Sequence, residues 1–163
     1  PTDNSYFINW INDPEVIKYS LSSFQKLNTT KQINQWFTNV LNDTKNVNLG
    51  IYLTLNSQCI GYAGLTNLSI TNQSAEYFIF IGDKTTWGKG YGTEVTKQVL
   101  NYGFTKLNLN RIMLTVSKPN IGGVKAYLKA GFKQEGVFRQ ACFRDGKFHD
   151  KIIMSVLKSE YIQ

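Results

Sequence analysis

Cysteine, proline and histidine are scarce in this chain: two, three and one among 163 residues. Cys59 and Cys142 lie far apart with no metal-ligand spacing, which excludes a disulfide framework and a cysteine-built metal site. They read instead as two buried thiols in a reducing compartment, so the expected localisation is cytoplasmic and no metal is expected. The only histidine, His149, follows a turn signal in a polar stretch and reads as a surface imidazole rather than a general base. No apolar run approaches the ~20 residues needed to cross a bilayer, and no secretory signal is read at the front, so no membrane partner is expected. Asn-x-Ser/Thr sequons begin at Asn28, Asn42, Asn67 and Asn72; without such a signal they reflect an Asn-rich composition. Internal repeats, linkers and low-complexity tracts are also missing. That predicts one domain over 1–163, large enough for a sizeable core.

Arginine is absent from the first 80 residues, where four lysines face five acids for a net of −1. The remaining 83 residues hold 14 basic residues against six acids, a net of +8. Such asymmetry fits a multiply anionic small ligand, a nucleic acid or a solvated basic face. The basic residues form no continuous run and the aromatics fit buried strands, which makes a nucleic acid the weaker choice.

The chain opens with a broken helical stretch over 3–20. Tyr6, Phe7, Trp10 and Ile11 share a face, and Asp13-Pro14 stops one helix and starts another at Val16-Ile17. Thr29 or Thr30 caps a helix with apolar positions Ile33, Trp36, Phe37, Val40 and Leu41, and Trp10 and Trp36 belong to the core. A half-buried strand over 47–55 turns at Asn56-Ser57-Gln58 into a second strand, Cys59 to Leu68. Gly61 and Gly64 there mark a close backbone approach or a bulge. After the loop Thr71 to Ser74, the apolar run Tyr77-Phe78-Ile79-Phe80-Ile81 reads as a buried central strand starting at Ala75. A strand over Arg111 to Val116, a helix from Ile121 to Ala130 closed by Gly131, and strands Phe132 to Phe143 and Lys147 to Leu157 about Asp145-Gly146 complete the order. The pattern is mixed α/β, a mostly antiparallel central sheet flanked by helices.

The stretch from Glu76 to Lys106 organises the rest. Its central strand leads into Trp87-Gly88-Lys89-Gly90-Tyr91-Gly92-Thr93-Glu94, then a helix carrying Val95, Val99, Leu100, Tyr102, Phe104 and Leu107. A glycine turn entering a helix exposes N–H groups at the helix's positive end, which suits a phosphate. Glu94 in the first helical turn suits the macrodipole without any catalytic role. Together with Asn120 and the run Tyr127-Leu128-Lys129-Ala130-Gly131-Phe132, this stretch resembles the two signature segments of the GNAT acetyltransferase superfamily. The similarity covers roughly 47–158, and the branches it most resembles are ribosomal-protein N-terminal and spermidine acetyltransferases.

The resemblance implies a GNAT-like fold and acetyl-CoA as donor to an amine acceptor. Ile79, Phe80 and Ile81 would lend main-chain groups to the pantetheine arm. N–H groups of Trp87, Gly88, Lys89, Gly90, Tyr91, Gly92 and Thr93 would hold the pyrophosphate. Asn120 would bind the cofactor through its amide, and Tyr127 would protonate the departing thiolate. The family usually has Gln or Arg at Trp87, so phosphate binding would lean on the backbone and Lys89. The family's first strand is also missing ahead of the first helix.

Acyl transfer to an amine needs a route for the amine's proton, a donor for the carbonyl oxygen and an acid for the thiolate. Glu76 is the candidate for binding the amine or relaying its proton, and Tyr127 the candidate acid. No covalent enzyme intermediate is required, so the lack of a Ser-His-Asp pattern excludes nothing. Asp150 is left to hydrogen-bond in the hairpin or to line the acceptor pocket. The thin supply of acids in the first 80 residues favours a small amine such as an amino sugar. A protein N-terminus or a polyamine stays open, as do a silent acyl-CoA sensor and a homodimer.

Overall fold

The structure is a computed structural model that describes residues 3–20, 24–27 and 29–161. Helices α1 (Asn4–Ile11) and α2 (Pro14–Ile17) are separated by Asp13, whose side chain accepts from the N–H of Glu15 at 2.9 Å. Pro14 at the first helical position loses no hydrogen bond there. Helix α3 (Thr30–Leu41) begins with a reciprocal cap between Thr29 and Gln32, satisfying two otherwise orphaned donors.

Six strands follow: β1 (Val47–Tyr52), β2 (Cys59–Ser69), β3 (Ser74–Ile81), β4 (Arg111–Ser117), β5 (Lys133–Arg144) and β6 (Lys147–Leu157). Helix α4 (Tyr91–Thr105) joins β3 to β4, and α5 (Ile121–Lys129) joins β4 to β5. They form one sheet in the order β1-β2-β3-β4-β6-β5, antiparallel at every pairing except β3 with β4. The result is the expected mixed α/β domain. Among the described residues no strand precedes α1, and β1 is an edge of the sheet.

Two clusters of buried side chains lie on opposite faces. Strand alternation sends Ala75 and Tyr77 toward α4, with Leu65, Leu100, Phe104, Ile112, Leu114 and Met154. Tyr62 and Phe80 face the first helices, among Phe7, Trp10, Ile11, Phe24 and Ile33. Trp10 is buried and Trp36 packs on this second cluster, as expected. The ring of Trp10 lies over Gly82, where an added Cβ would fall 2.0 Å from it. Gly61 and Gly64 are close approaches: a Cβ would stand 2.0 Å from the Phe80 carbonyl oxygen and 1.8 Å from that of Val47.

One boundary differs from the sequence pattern. The strand expected over 47–55 stops at Tyr52, and the turn falls on Thr54 to Asn56 rather than on Asn56 to Gln58. Leu53 N–H donates to the Gln58 carbonyl and Ser57 N–H to that of Leu53, which closes the turn early and leaves Leu55 97% exposed. Cys59 and Cys142 are buried free thiols. No described helix is long and apolar enough to cross a membrane.

Candidate active site

The pairing of β3 with β4 is short. It covers Ser74 to Glu76 against Arg111 to Met113 and then stops, whereas β2 continues beside β3 as far as Ile81. The sheet therefore opens after Glu76. Gly82 N–H donates to the Ile60 carbonyl on β2, so alternation turns the main-chain groups of Tyr77, Ile79 and Ile81 the other way, into the opening. The same alternation points the main chain of Phe80 at β2, and its ring is buried. Of Ile79, Phe80 and Ile81, only the two isoleucines reach the opening. One of their carbonyls is already used: the Trp87 indole N–H donates to the Ile81 oxygen at 3.0 Å.

Beyond β3, a 3-10 turn (Lys84–Thr86) leads into the glycine segment. Gly88 and Gly90 take φ of 74° and 92°, a region that costs residues with a Cβ about 1–2 kcal/mol. Gly92 is within the helix, its vacant Cβ direction facing Ile81 and Ala126 at ordinary contact distance. Trp87 N–H donates to the Lys84 carbonyl, and Thr93 and Glu94 N–H both donate to that of Gly90. The ends of the expected anion-binding run are thus satisfied internally. Between them, the N–H groups of Gly88, Lys89, Gly90, Tyr91 and Gly92 have no hydrogen-bond acceptor among the described residues. A row of free N–H groups at a helix N-terminus is the chemistry an anionic diphosphate requires. Lys89 is exposed beside it, and Glu94 is exposed in the first turn of α4.

This helix end is anchored to β3. Thr96 Oγ1 donates to the Gly92 carbonyl at 2.6 Å, and the Tyr77 hydroxyl lies 2.9 Å from Thr96 Oγ1. Since a threonine hydroxyl has one proton, Tyr77 is the donor in that contact. Burial pushes its phenol well above the usual range.

Glu76 and Tyr127 come from opposite faces to one cavity of about 440 Å³ at the opening. Glu76 projects on the side of the first helices and accepts from Asn67 Nδ2 at 2.9 Å. Asn67 takes φ of 51° where the β2–β3 register breaks. Tyr127, on α5, packs edge-on against Tyr77 and Phe132 at ring separations of 6.2 and 6.0 Å. Burial raises its phenol to about 12, and its hydroxyl has no hydrogen bond to a described residue. Asn120 Oδ1 accepts from Gly123 N–H at 3.0 Å and caps α5. Its NH₂ group has no acceptor among the described residues and can donate to a ligand.

The far walls come from the first helices and the terminal hairpin. Tyr19, Ser20, Val40, Asp43, Asn48 and Tyr62 line one side; Cys142, Arg144 and Lys151 line the other. An ion pair between Lys18 and Asp145, at 3.5 Å, links the end of α2 to the hairpin turn. Asp43, Arg144 and Lys151 have no signature spacing in the sequence; only their placement on these two elements could have pointed to them. His149 lies outside the cavity, paired with Cys142 in the hairpin. Asp150 accepts from Gln140 N–H at 3.0 Å, the hairpin role left open for it. No cluster of three or more His, Cys, Asp or Glu side chains among the described residues could hold a metal ion.

A sheet opened between parallel strands, with a row of free N–H groups at a helix end on one side and a cavity at the opening, matches the framework of an acyl-CoA-dependent transferase. The acetyltransferase (GNAT) domain family matches residues 1–133, and the chain belongs to that family. It is 29% identical over 160 residues to the uncharacterised N-acetyltransferase p20 of Bacillus licheniformis, covering 98% of this chain and 89% of that one. It is 34% identical over 103 residues to a spermidine N(1)-acetyltransferase of Vibrio cholerae, covering 63% of this chain and 59% of that one. The crystal structure of a Vibrio cholerae spermidine N-acetyltransferase in complex with CoA and spermine has a TM-score of 0.86 and 25% identity, over 99% of this chain and 94% of that one. The protein is an N-acetyltransferase with acetyl-CoA as its donor.

Proposed function

We propose that the acceptor is a small molecule with one primary amine at its reacting end, and that Glu76 and Tyr127 carry the proton transfers. The carrying observation is their meeting in one cavity from opposite faces of the opened sheet. Bound acetyl-CoA supplies the acetyl group as a thioester, held by the N–H row Gly88 to Gly92, the Asn120 amide and the free main-chain groups of Ile79 and Ile81. The cationic half of the chain thereby serves an anionic donor rather than a nucleic acid.

An amine reacts only as the free base, whereas an ammonium of the lysine type has a pKa near ~10.4. Glu76, steadied by Asn67, holds the ammonium and takes up its proton directly or through water. The nitrogen then forms the new N–C bond as the C–S bond breaks. Tyr127 gives its proton to the sulfur and is reprotonated through water by the second proton that the acylated nitrogen sheds, while Glu76 returns the first to solvent, so no charge accumulates on the protein. A main-chain N–H of Ile79 or Tyr77, turned into the opening, is the donor available to the carbonyl oxygen.

The polyamine reading is favoured by one observation, the likeness to the spermidine enzymes. Against it, residues 16–42, which include Tyr19, Ser20 and Val40, carry three lysines and no acid, leaving Asp43 as the one carboxylate on that wall. Each extra ammonium of a polyamine needs a partner when it leaves water. Thiol release measured across amino sugars, spermidine and peptide α-amines tests the choice. A higher kcat/KM for an amino sugar supports it; spermidine or a peptide as the best substrate overturns it.

A further inference from the structure

We infer that the acceptor carries an anionic group, a carboxylate or a phosphate, beside its amine, and that Arg144, aided by Lys151, selects it. This rests on the small-amine reading above. Both cations line the cavity that holds Glu76, from the terminal hairpin, and share it with Asp43 and Asn48. Several charges that neighbour that wall are paired. Lys18 meets Asp145 at 3.5 Å, Lys118 meets Asp150 at 3.9 Å, and Asp150 also accepts from Gln140 N–H. Among the described residues, neither Arg144 nor Lys151 has an ion pair.

Arg144 is half-buried, and its one hydrogen bond runs from Nη1 to the neighbouring Phe143 carbonyl at 2.7 Å. Most of its five N–H donors are unused, in a planar fork that matches a carboxylate or phosphate bidentately. The carboxylates opposite are partly committed. Asp43 accepts from the Asn46 and Asn48 side chains and the Lys45 N–H, and Glu76 accepts from Asn67. One wall thus presents Glu76 to a cation, and the other presents a free guanidinium and a free ammonium to an anion. A zwitterionic or phosphorylated amine satisfies both. A polycation would meet Arg144 and Lys151 as like charges, which turns the same pair into a filter against it.

The test compares matched acceptors in thiol-release assays: glucosamine with glucosamine 6-phosphate, and 4-aminobutyramide with 4-aminobutyrate. In the wild-type enzyme the anionic member of at least one pair should have kcat/KM about 10- to 100-fold higher, as for one charge-assisted contact. The pair that responds distinguishes phosphate from carboxylate. In Arg144→Gln that ratio should collapse toward one through KM, Lys151→Gln should reduce it less, and Arg144→Lys should restore part of it. A retained rise in melting temperature with acetyl-CoA shows that each variant is folded. Ratios at or below one in the wild type, or ratios unchanged in both Gln variants, overturn the inference while leaving small-amine acetylation standing. Preference for spermidine or a peptide α-amine over all four probes overturns both.

Discussion

At the scale of single residues, the sharpest expectation concerns Tyr127. Its ring is fixed by Tyr77 and Phe132 while its hydroxyl is unengaged, so Tyr127→Phe removes a proton donor and little else. General-acid assistance is worth roughly 10²–10⁴-fold; kcat should fall by that order, with acetyl-CoA affinity by calorimetry nearly unchanged. With its phenol raised to about 12, Tyr127 stays protonated through the neutral and mildly alkaline range. Any kcat decline between pH 7 and 10 should therefore persist in Tyr127→Phe; its disappearance in the variant would reassign that titration to Tyr127. The signature spacing made Tyr127, Asn120 and the glycine turn legible in advance. It did not reveal that the Asn120 oxygen caps α5 by accepting from Gly123 N–H, because a cap and a ligand contact call for the same residue. Arg144 and Asp43 were illegible for another reason: a cavity wall assembled from distant segments leaves no spacing to read.

Among the elements, helix α4 depends on how it starts. Gly90 holds φ of 92° and its carbonyl receives the N–H groups of Thr93 and Glu94. A β-branched residue there resists the left-handed conformation and turns the free N–H row away from its anion. Gly90→Val should weaken acetyl-CoA binding by at least tenfold in titration calorimetry, whereas Glu94→Ala should change it little; equal affinities would make the turn merely structural. Most elements followed from periodicity and turn residues, since Asp13-Pro14, Thr29, Gly131 and Asp145-Gly146 punctuate the chain by local physics. The end of β1 did not, because Leu53 and Leu55 continue an alternation that only the backbone turn interrupts. The parting of β3 from β4 was equally hidden. A strand's side chains give its faces, not the point at which a neighbour leaves it.

For the whole molecule, stability has an acid-sensitive tie across three strands. Arg111 of β4 forks onto Glu135 of β5, and Ser155 of β6 donates to the same carboxylate at 2.7 Å. Hydrogen bonds from Arg111, then Ser155, hold the Glu135 carboxyl down at about 2, below its usual 4.5. A lowered carboxylate stabilises the fold above its unfolded pKa and loses that contribution as pH falls through the folded one. The gap in urea midpoint between wild type and Glu135→Gln should thus be constant above pH 5 and close between about pH 4.5 and 2. A gap independent of pH would remove the ion pair from the account.

The parting of β3 from β4 also has a kinetic meaning. In the proposed function it would give the catalytic centre two mouths, with the donor on the α4–α5 side and the acceptor on the side of the first helices. Neither substrate would then have to wait behind the other, and neither product would block the other's exit. Initial rates at several fixed concentrations of each substrate should give intersecting reciprocal plots, with each product competing only against the substrate that shares its mouth. Parallel plots would mean that the acetyl group rests on the protein between two half-reactions, and one mouth would then have been enough.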